Sequence, residues 1–209
     1  MFDFIRKNFL WQALDAGYNN HLQKTISYQL KTVQDLAIFH QLKHAKKLKV
    51  AEVGGGNSRI LPFLAKHNRC FNIDGFEGKN AGPNGPVEIK GVENIVAYLG
   101  KDSSQIKSSS FDTVFSISVV EHIALEELPE FHREIVRILK PGGTFFHAID
   151  MYIGNKPETN NLQKMAAYRS FLSTETGIEP IVTLSEVEPC FTTDMASNPD
   201  NILHGWTLY

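Results

Sequence analysis

The chain has 209 residues, 42% of them hydrophobic, with a formal net charge of −2 and a pI near 6.4. That length supports one packed domain and is short for two, and the charge balance argues against nucleic acid as a partner. No apolar run reaches membrane-spanning length, Met1–Lys7 lacks the order of a secretion signal, and Cys70 and Cys190 form neither a disulfide framework nor a metal-ligand spacing. The expectation is a single cytoplasmic domain over 1–209, with no membrane span and no bound metal.

Residues 1–47 read as a helical extension ahead of a core over 48–209. Leu22, Ile26, Leu30, Val33 and Ala37 recur at helical spacing with polar residues between them. Such helices either pack on a sheet or form a lid to which Tyr18, Tyr28 or Phe39 contributes. Lys43, Lys46, Lys47 and Lys49 read as a solvated helix end, favoured by the negative end of the dipole.

The first strand is expected over 48–53 and carries an acid, Glu52, before it meets Gly54, Gly55 and Gly56. Ile60, Leu61 and Leu64 then follow at helical spacing, predicting a helix over 58–67. Three glycines between a buried strand and a helix allow a tight bend and the close approach of a ligand. The helix N-terminus is thereby aimed at that ligand. Two phosphate motifs fail here. No Lys-Ser or Lys-Thr closes the loop, and the third glycine of the dinucleotide fingerprint falls on Arg59, which is too large. An acid two residues before the first glycine fits a cationic amino-acid end better than a pyrophosphate.

Cys70–Asp74 reads as a second strand, over 69–74, ending in an acid. Asp74 is placed to accept both hydroxyls of a ribose, while Asp74-Gly75 is also a common turn pair; both roles can hold together. Residues 77–91, with Gly78, Gly82, Pro83, Gly85 and Pro86, show no periodicity and read as a surface loop that borders a ligand or merely connects. A third strand is expected near 94–99, followed by the polar run Lys101–Ile106. A fourth, over 111–117, leads to Glu121-His122. Leu125, Leu128, Phe131, Ile135, Ile138 and Leu139 then predict a helix over 124–139, with Pro129 tolerated in its first turns. Proline and paired glycines at 141–143 turn the chain into a fifth strand over 143–149. A helix over 160–175 and two late strands, near 180–185 and 202–208, complete the pattern. Strand–helix alternation of this kind predicts an α/β fold with a parallel sheet.

Four landmarks in this order resemble the class I S-adenosylmethionine-dependent methyltransferases over roughly residues 48–150. They are the acid before the glycine loop, the acid ending the second strand, the Ser110-Phe111-Asp112 strand leading to Glu121-His122, and Leu139-Lys140-Pro141-Gly142-Gly143. Two features depart from the family pattern: Ser58 replaces the third loop glycine, and 77–91 replaces a helix. The resemblance implies a Rossmann-like, open, mostly parallel seven-stranded sheet with helices on both faces. It implies S-adenosyl-L-methionine as cofactor, held by Glu52, Gly54, Gly55, Gly56, Ser58, Asp74, Gly75, Asp102, Ser103 and Ser118, with Asp102 and Ser103 at the adenine. The implied reaction moves a methyl group to oxygen or nitrogen of a small-molecule or saccharide-type acceptor. The alternatives are a catalytically silent domain of the same fold and a nucleotide-dependent oxidoreductase.

If the acceptor is a hydroxyl, a general base is useful, and histidine titrates nearest neutrality. His122 is expected at a helix N-terminus, where the dipole keeps the ring neutral. His147, with Asp150, falls near the carboxyl end of the fifth strand, where open α/β sheets place their sites. The bland alternatives are that His122 orients a loop, that His147 is a satisfied core histidine, and that Glu121 holds backbone N–H groups. Tyr152 is a further candidate.

Overall fold

A computed structural model describes residues 7–22, 30–79, 82–150, 159–172 and 178–179. Five strands are present among them: β1 (Lys49–Val53), β2 (Arg69–Asp74), β3 (Val92–Val96), β4 (Phe111–Ile117) and β5 (Leu139–Ala148). They pair in the order β3-β2-β1-β4-β5, and every pairing is parallel. The sequence predicts seven strands. The two late ones lie outside the described residues, as do Ile26, Tyr28, Tyr152 and Cys190. β3 and β5 both begin earlier than their patterns suggest, and β3 is an edge strand, with Val96 exposed.

The helices are α1 (Lys7–Asp15), α2 (Tyr18–His21), α3 (Leu30–Leu42), α4 (Leu61–Leu64), α5 (Leu128–Ile138) and α6 (Thr159–Ser170). Side chains alternate across a strand, so a buried parallel sheet needs apolar residues on both faces. One face presents Ala51, Val53, Phe71, Ile73 and Val114 to α5 and to Tyr168 and Phe171. The other presents Val50, Cys70 and Phe115 to α3 and α4. Helices therefore cover both faces.

The structure corrects two helix lengths. The helix predicted over 58–67 is a single turn, because Asn68 closes it: its side-chain amide donates to the Leu64 and Ala45 carbonyls, and its Oδ1 accepts from the Leu48 N–H. The helix predicted from 124 starts at Leu128, with Pro129 in the first turn, where the missing N–H costs nothing. Leu128, Phe131, Ile135 and Ile138 of α5 are buried on the sheet, each contributing about 1.5–3 kcal/mol of transfer free energy. Between β2 and β3 there is no α-helix among the described residues; Glu77 and Asn84 pair across a short antiparallel bridge.

The N-terminal helices form an outer layer. The Tyr18 hydroxyl meets His40 Nδ1 at 2.9 Å, the Tyr18 ring packs edge-on against Phe39 at 5.1 Å, and Phe39 meets Phe63 at 4.8 Å. Those aromatics join α2 to α3 and to the segment that follows the glycine turn. Among them α3 also carries the buried polar residues Gln34 and Asp35.

Candidate active site

The sheet reverses its winding between β1 and β4, and crevices open at the carboxyl ends of strands beside such a point. The Gly54–Gly56 turn leaves β1 there. Gly54 has φ +66°, and a Cβ on it would lie 2.5 Å from a methyl of Val119, in the segment after β4. A Cβ on Gly55 would lie 2.5 Å from Asn72 Oδ1 and 3.0 Å from the Glu52 carboxyl carbon. The turn is thus clamped between β2 and β4, with no space for side chains.

Glu52 is buried beneath this turn. Burial pushes its carboxyl up to about 8, offset in part by a hydrogen bond from Ser58 and by the positive charge of Arg59. Ser58 has a structural task as well: its Oγ accepts from the Leu61 N–H at 3.0 Å and the Ile60 N–H at 3.3 Å, supplying the cap for α4. The neighbouring Arg59 forms a bidentate pair with buried Asp35 of α3, at 2.6 and 2.9 Å. An arginine at the place of a third glycine therefore ties the turn to the N-terminal extension.

Across from Glu52 in the sheet stands Asn72, fully buried. Its Nδ2 donates to the Gly56 carbonyl at 2.9 Å, and its Oδ1 has no partner among the described residues. Asp74 ends β2 two residues later. Its Oδ2 accepts from the Gly56 N–H at 3.0 Å and its Oδ1 from the Phe76 N–H at 2.6 Å. Each oxygen keeps a further lone pair for a ligand hydroxyl. Over Gly75 lies the ring of Tyr98, so close that a Cβ would fall 2.2 Å from it. Pro83, from the 77–91 segment, comes within 3.0 Å of a Cβ built on Gly56, so that segment does border the turn.

Asp102 and Ser103 part company. Asp102 is exposed and closes a tight turn with Tyr98, each backbone N–H donating to the other's carbonyl. Ser103 is buried and donates to Glu134 of α5, while its carbonyl accepts from Arg137. The structure brings Ser103 to α5 and not to the glycine turn.

Beyond β4 and β5 lies a second polar group. Ser118, at φ +54°, donates from Oγ toward Gln34 Oε1 (2.9 Å) and Asp150 Oδ1 (3.2 Å). Gln34 also donates to Asp150, whose other oxygen lies 3.8 Å from Lys31 Nζ. Glu121 sits beside Asp150 with both carboxylate oxygens buried and without a hydrogen-bond partner among the described residues. Burial, and then the Asp150 charge, push it up to about 7 against the pull of nearby backbone N–H groups and Lys31.

The two histidines are corrected by the structure. His122 is exposed and ends a single 3-10 turn over Val120–His122, six residues before α5 begins, so it occupies no helix N-terminus. His147 points into the aromatic layer under α5, with ring centroids 5.1 Å from Phe145, 5.9 Å from Phe131 and 5.6 Å from His132. Its Nδ1 meets the Ser116 hydroxyl at 2.7 Å, and burial drives it down to about 3. A ring so disposed to stay neutral is a core histidine, and a poor proton acceptor near neutral pH.

The family model of the methyltransferase domain matches residues 51–147, from β1 through the end of β5. Over those residues the chain is similar to methyltransferase domains of the class I, S-adenosylmethionine-dependent kind. Curated relatives include the sterol 24-C-methyltransferase erg6 of Aspergillus fumigatus, 27% identical over 84% of this chain and 49% of that protein. Another is the sterol 24-C-methyltransferase ERG6A of Gibberella zeae, 26% identical over 87% of this chain and 50% of that protein. The chain thus spans about half the length of the curated relatives it matches. Among solved structures, a putative methyltransferase from Bacillus halodurans C-125 overlays with a TM-score of 0.45 at 18% identity, covering 61% of this chain and 54% of that one. A phosphoethanolamine N-methyltransferase of Haemonchus contortus, in complex with phosphoethanolamine and S-adenosylhomocysteine, gives 0.42 at 16% identity, covering 66% of this chain and 32% of that one. At such scores neither overlay adds to the argument.

The residues of this chain fit S-adenosylmethionine. Under the turn lie the Glu52 carboxyl, which accepts from Ser58, and Asn72 Oδ1, which has no partner among the described residues; an ammonium group has donors for both. Asn72 and Tyr98 escape sequence reading. A polar residue inside the apolar run Cys70–Ile73, in register with Glu52, was the available signal for the first. Nothing local marks Tyr98, which reaches Gly75 only through the pairing of β2 with β3.

Proposed function

We propose that the chain is an S-adenosylmethionine-dependent methyltransferase acting on oxygen or nitrogen of a small-molecule or saccharide-type acceptor. The observation that carries this reading is the unpartnered Asn72 Oδ1 beside the buried Glu52 carboxyl, both under a turn with no space for a Cβ at Gly54 or Gly55. Glu52 and Asn72 would take the ammonium end of the cofactor, directly or through water, and Asp74 its ribose hydroxyls. Tyr98 and Pro83 would flank the base, with Asp102 nearby. When bound, the cofactor supplies an electrophilic methyl group. The protein's share is then to align the acceptor and exclude water, because in-line displacement gains most from positioning.

The acceptor would enter from the Ser118–Glu121 side, where Val119 abuts Gly54. Of the two histidines only His122 is open to it. The names of the relatives favour a second reading, transfer to carbon of a sterol-like acceptor. Calorimetry with S-adenosylhomocysteine and with NAD tests the cofactor: binding of the first and not the second is expected, and the reverse overturns the reading. Transfer of labelled methyl to alcohols, amines and a sterol separates the acceptors. Cofactor binding without transfer to any acceptor is the behaviour of a silent domain.

A further inference from the structure

Glu121 is held in a way that packing alone does not account for. Both its carboxylate oxygens are buried and lack a hydrogen-bond partner among the described residues. Leaving such a group unpaired is costly, and a site that tolerates this commonly does so for a ligand. Its place supports that use. The segment Ser118–Glu121 leaves β4 at the winding reversal, and Val119 lies directly against Gly54 of the cofactor turn. Glu121 follows two residues later, on the same side of the winding reversal.

The charged and titratable groups around it come from each neighbouring element. After β5 stands Asp150, hydrogen-bonded to Gln34 and Ser118. From α3 comes Lys31, 3.8 Å from Asp150. From α6 comes Tyr168, a buried phenol pushed up to about 12 by burial and by the Glu121 charge. Asp150 therefore has side-chain donors and a cation, whereas Glu121 is faced by backbone N–H groups, its own and that of Asp150, and by no side-chain donor among the described residues. An incoming O–H or N–H is the partner this arrangement lacks.

Resting on the methyltransferase reading, we propose that Glu121 binds the acceptor's O–H or N–H and takes its proton as the methyl group is transferred, which makes the acceptor a heteroatom nucleophile rather than a carbon–carbon double bond. In the step, a lone pair on oxygen or nitrogen forms the bond to the methyl carbon. The carbon–sulfur bond breaks, its electron pair stays on sulfur, and the proton of the nucleophile passes to Glu121. The products are the methylated acceptor, S-adenosylhomocysteine and a protonated Glu121, which returns its proton to water. Asp150, fixed by Gln34, Ser118 and Lys31, is a positioning residue that favours the protonated product form of Glu121. A raised carboxyl pKa, here about 7, matches a base that works near neutrality.

The test compares the wild type with Glu121→Gln on three readouts: S-adenosylhomocysteine affinity, melting temperature at about pH 6 and pH 8.5, and labelled-methyl transfer to a phenol, an aliphatic alcohol, a primary amine and a sterol. The variant should keep cofactor affinity within about twofold and melt no lower than the wild type at the higher pH. Its turnover of the alcohol, phenol or amine should fall roughly 10²–10⁴-fold. The wild-type rate should decline below about pH 7, and the variant's residual rate should lose that limb. Melting lowered at both pH values would make Glu121 a structural carboxylate and overturn the proposal. So would an unchanged rate in the variant, transfer to the sterol alone, or a wild type that binds the cofactor yet methylates none of the four. Failure of the wild type to bind S-adenosylhomocysteine would instead overturn the methyltransferase reading beneath it.

Discussion

Two buried carboxylates stand on opposite sides of the winding reversal, and the protein houses them differently. Glu52, at the cofactor turn, accepts from Ser58, stands within the field of Arg59 and lies opposite Asn72 in the sheet. Those three partners all come from β2 and the residues that join it to β1. Glu121, on the proposed acceptor side, has neighbours from α3, α6 and the end of β5, and no side-chain hydrogen-bond partner among the described residues. The first is a finished socket assembled from local chain; the second is an open one assembled from distant chain. A cofactor common to a whole family can be served by a fixed, local motif. An acceptor that differs between members has to be met by elements free to vary.

The largest effect should come from filling the finished socket. Gly55→Ala would put a methyl 2.5 Å from Asn72 Oδ1 and 3.0 Å from Glu52, both in the buried sheet. Overpacking of that kind costs about 1–3 kcal/mol in stability. The same change should weaken S-adenosylhomocysteine binding by roughly 100-fold if about 2.7 kcal/mol of cradle contact is lost. Gly54→Ala is the sharper probe. Its clash is with a Val119 methyl, and its φ of +66° adds about 1 kcal/mol of backbone strain. Adding Val119→Ala should recover the steric part and leave the strain. Calorimetry that shows full binding by Gly55→Ala would mean that the cofactor does not use this turn.

Next comes the proton inventory of the two carboxylates. Glu52 is raised from 4.5 to about 8 in the folded protein. Its contribution to stability is therefore complete below about pH 4.5 and is lost as pH rises through 8, on the order of 3–5 kcal/mol in all. Glu121, raised to about 7, adds a smaller slope of the same sign that ends near pH 7. Glu52→Gln should flatten the upper part of the stability profile, and Glu121→Gln the lower part, measured by urea unfolding from about pH 5 to pH 9. Binding an ammonium beside Glu52 should also expel its proton. Near neutral pH, cofactor association should release a proton to buffer in the wild type and none in Glu52→Gln, as read by calorimetry in buffers of different ionisation enthalpy. Equal heats in all buffers would show that Glu52 keeps its proton when the ligand is bound.

The same contrast explains what the sequence made legible. Glu52, the three glycines and Asp74 lie within one β-α-β unit, so spacing along the chain sufficed to place them. Even so, Ser58 was legible only in part: its position suggested a small residue in a loop, and its second task, capping α4, depends on where the helix begins. The acceptor side was not legible, because Lys31, Gln34, Glu121, Asp150 and Tyr168 are spread over four elements and meet only when α3 and α6 dock. His147 could have been read better. β5 alternates, Phe145 and His147 toward one face and Phe146 and Ala148 toward the other, and the first of those faces lies under the apolar stripe of α5. Strand ends locate a site, but the parity of a residue decides whether its side chain enters the site or the core.

Breaking the tie between the two regions should cost less than filling the turn. Arg59→Ala removes both hydrogen bonds to buried Asp35 and frees the glycine turn from α3. Removing one partner of a fully buried pair costs about 3–5 kcal/mol; the half-exposed arginine places this one below that range, at about 2 kcal/mol. Because α3 also supplies Lys31 and Gln34 to Asp150, turnover should fall further than cofactor affinity does. Equal losses in both would confine the role of α3 to the cofactor turn.

The smallest effect is expected at His122, and it separates the two candidate bases. The ring is exposed, lies at the end of a 3-10 turn, and is the immediate neighbour of Glu121. If Glu121 takes the acceptor's proton, His122 can at most relay it to water. His122→Ala should then lower turnover by less than about tenfold, short of the 10²–10⁴ that a general base contributes. It should also leave the acidic limb of the rate profile in place, since that limb belongs to the carboxyl. Turnover of both variants across about pH 5.5–9, on the same acceptor, makes the comparison. A loss of 100-fold or more in His122→Ala, with Glu121→Gln nearly unaffected, would move the base from the buried carboxylate to the exposed ring. The open socket at Glu121 would then serve to orient the acceptor and not to deprotonate it.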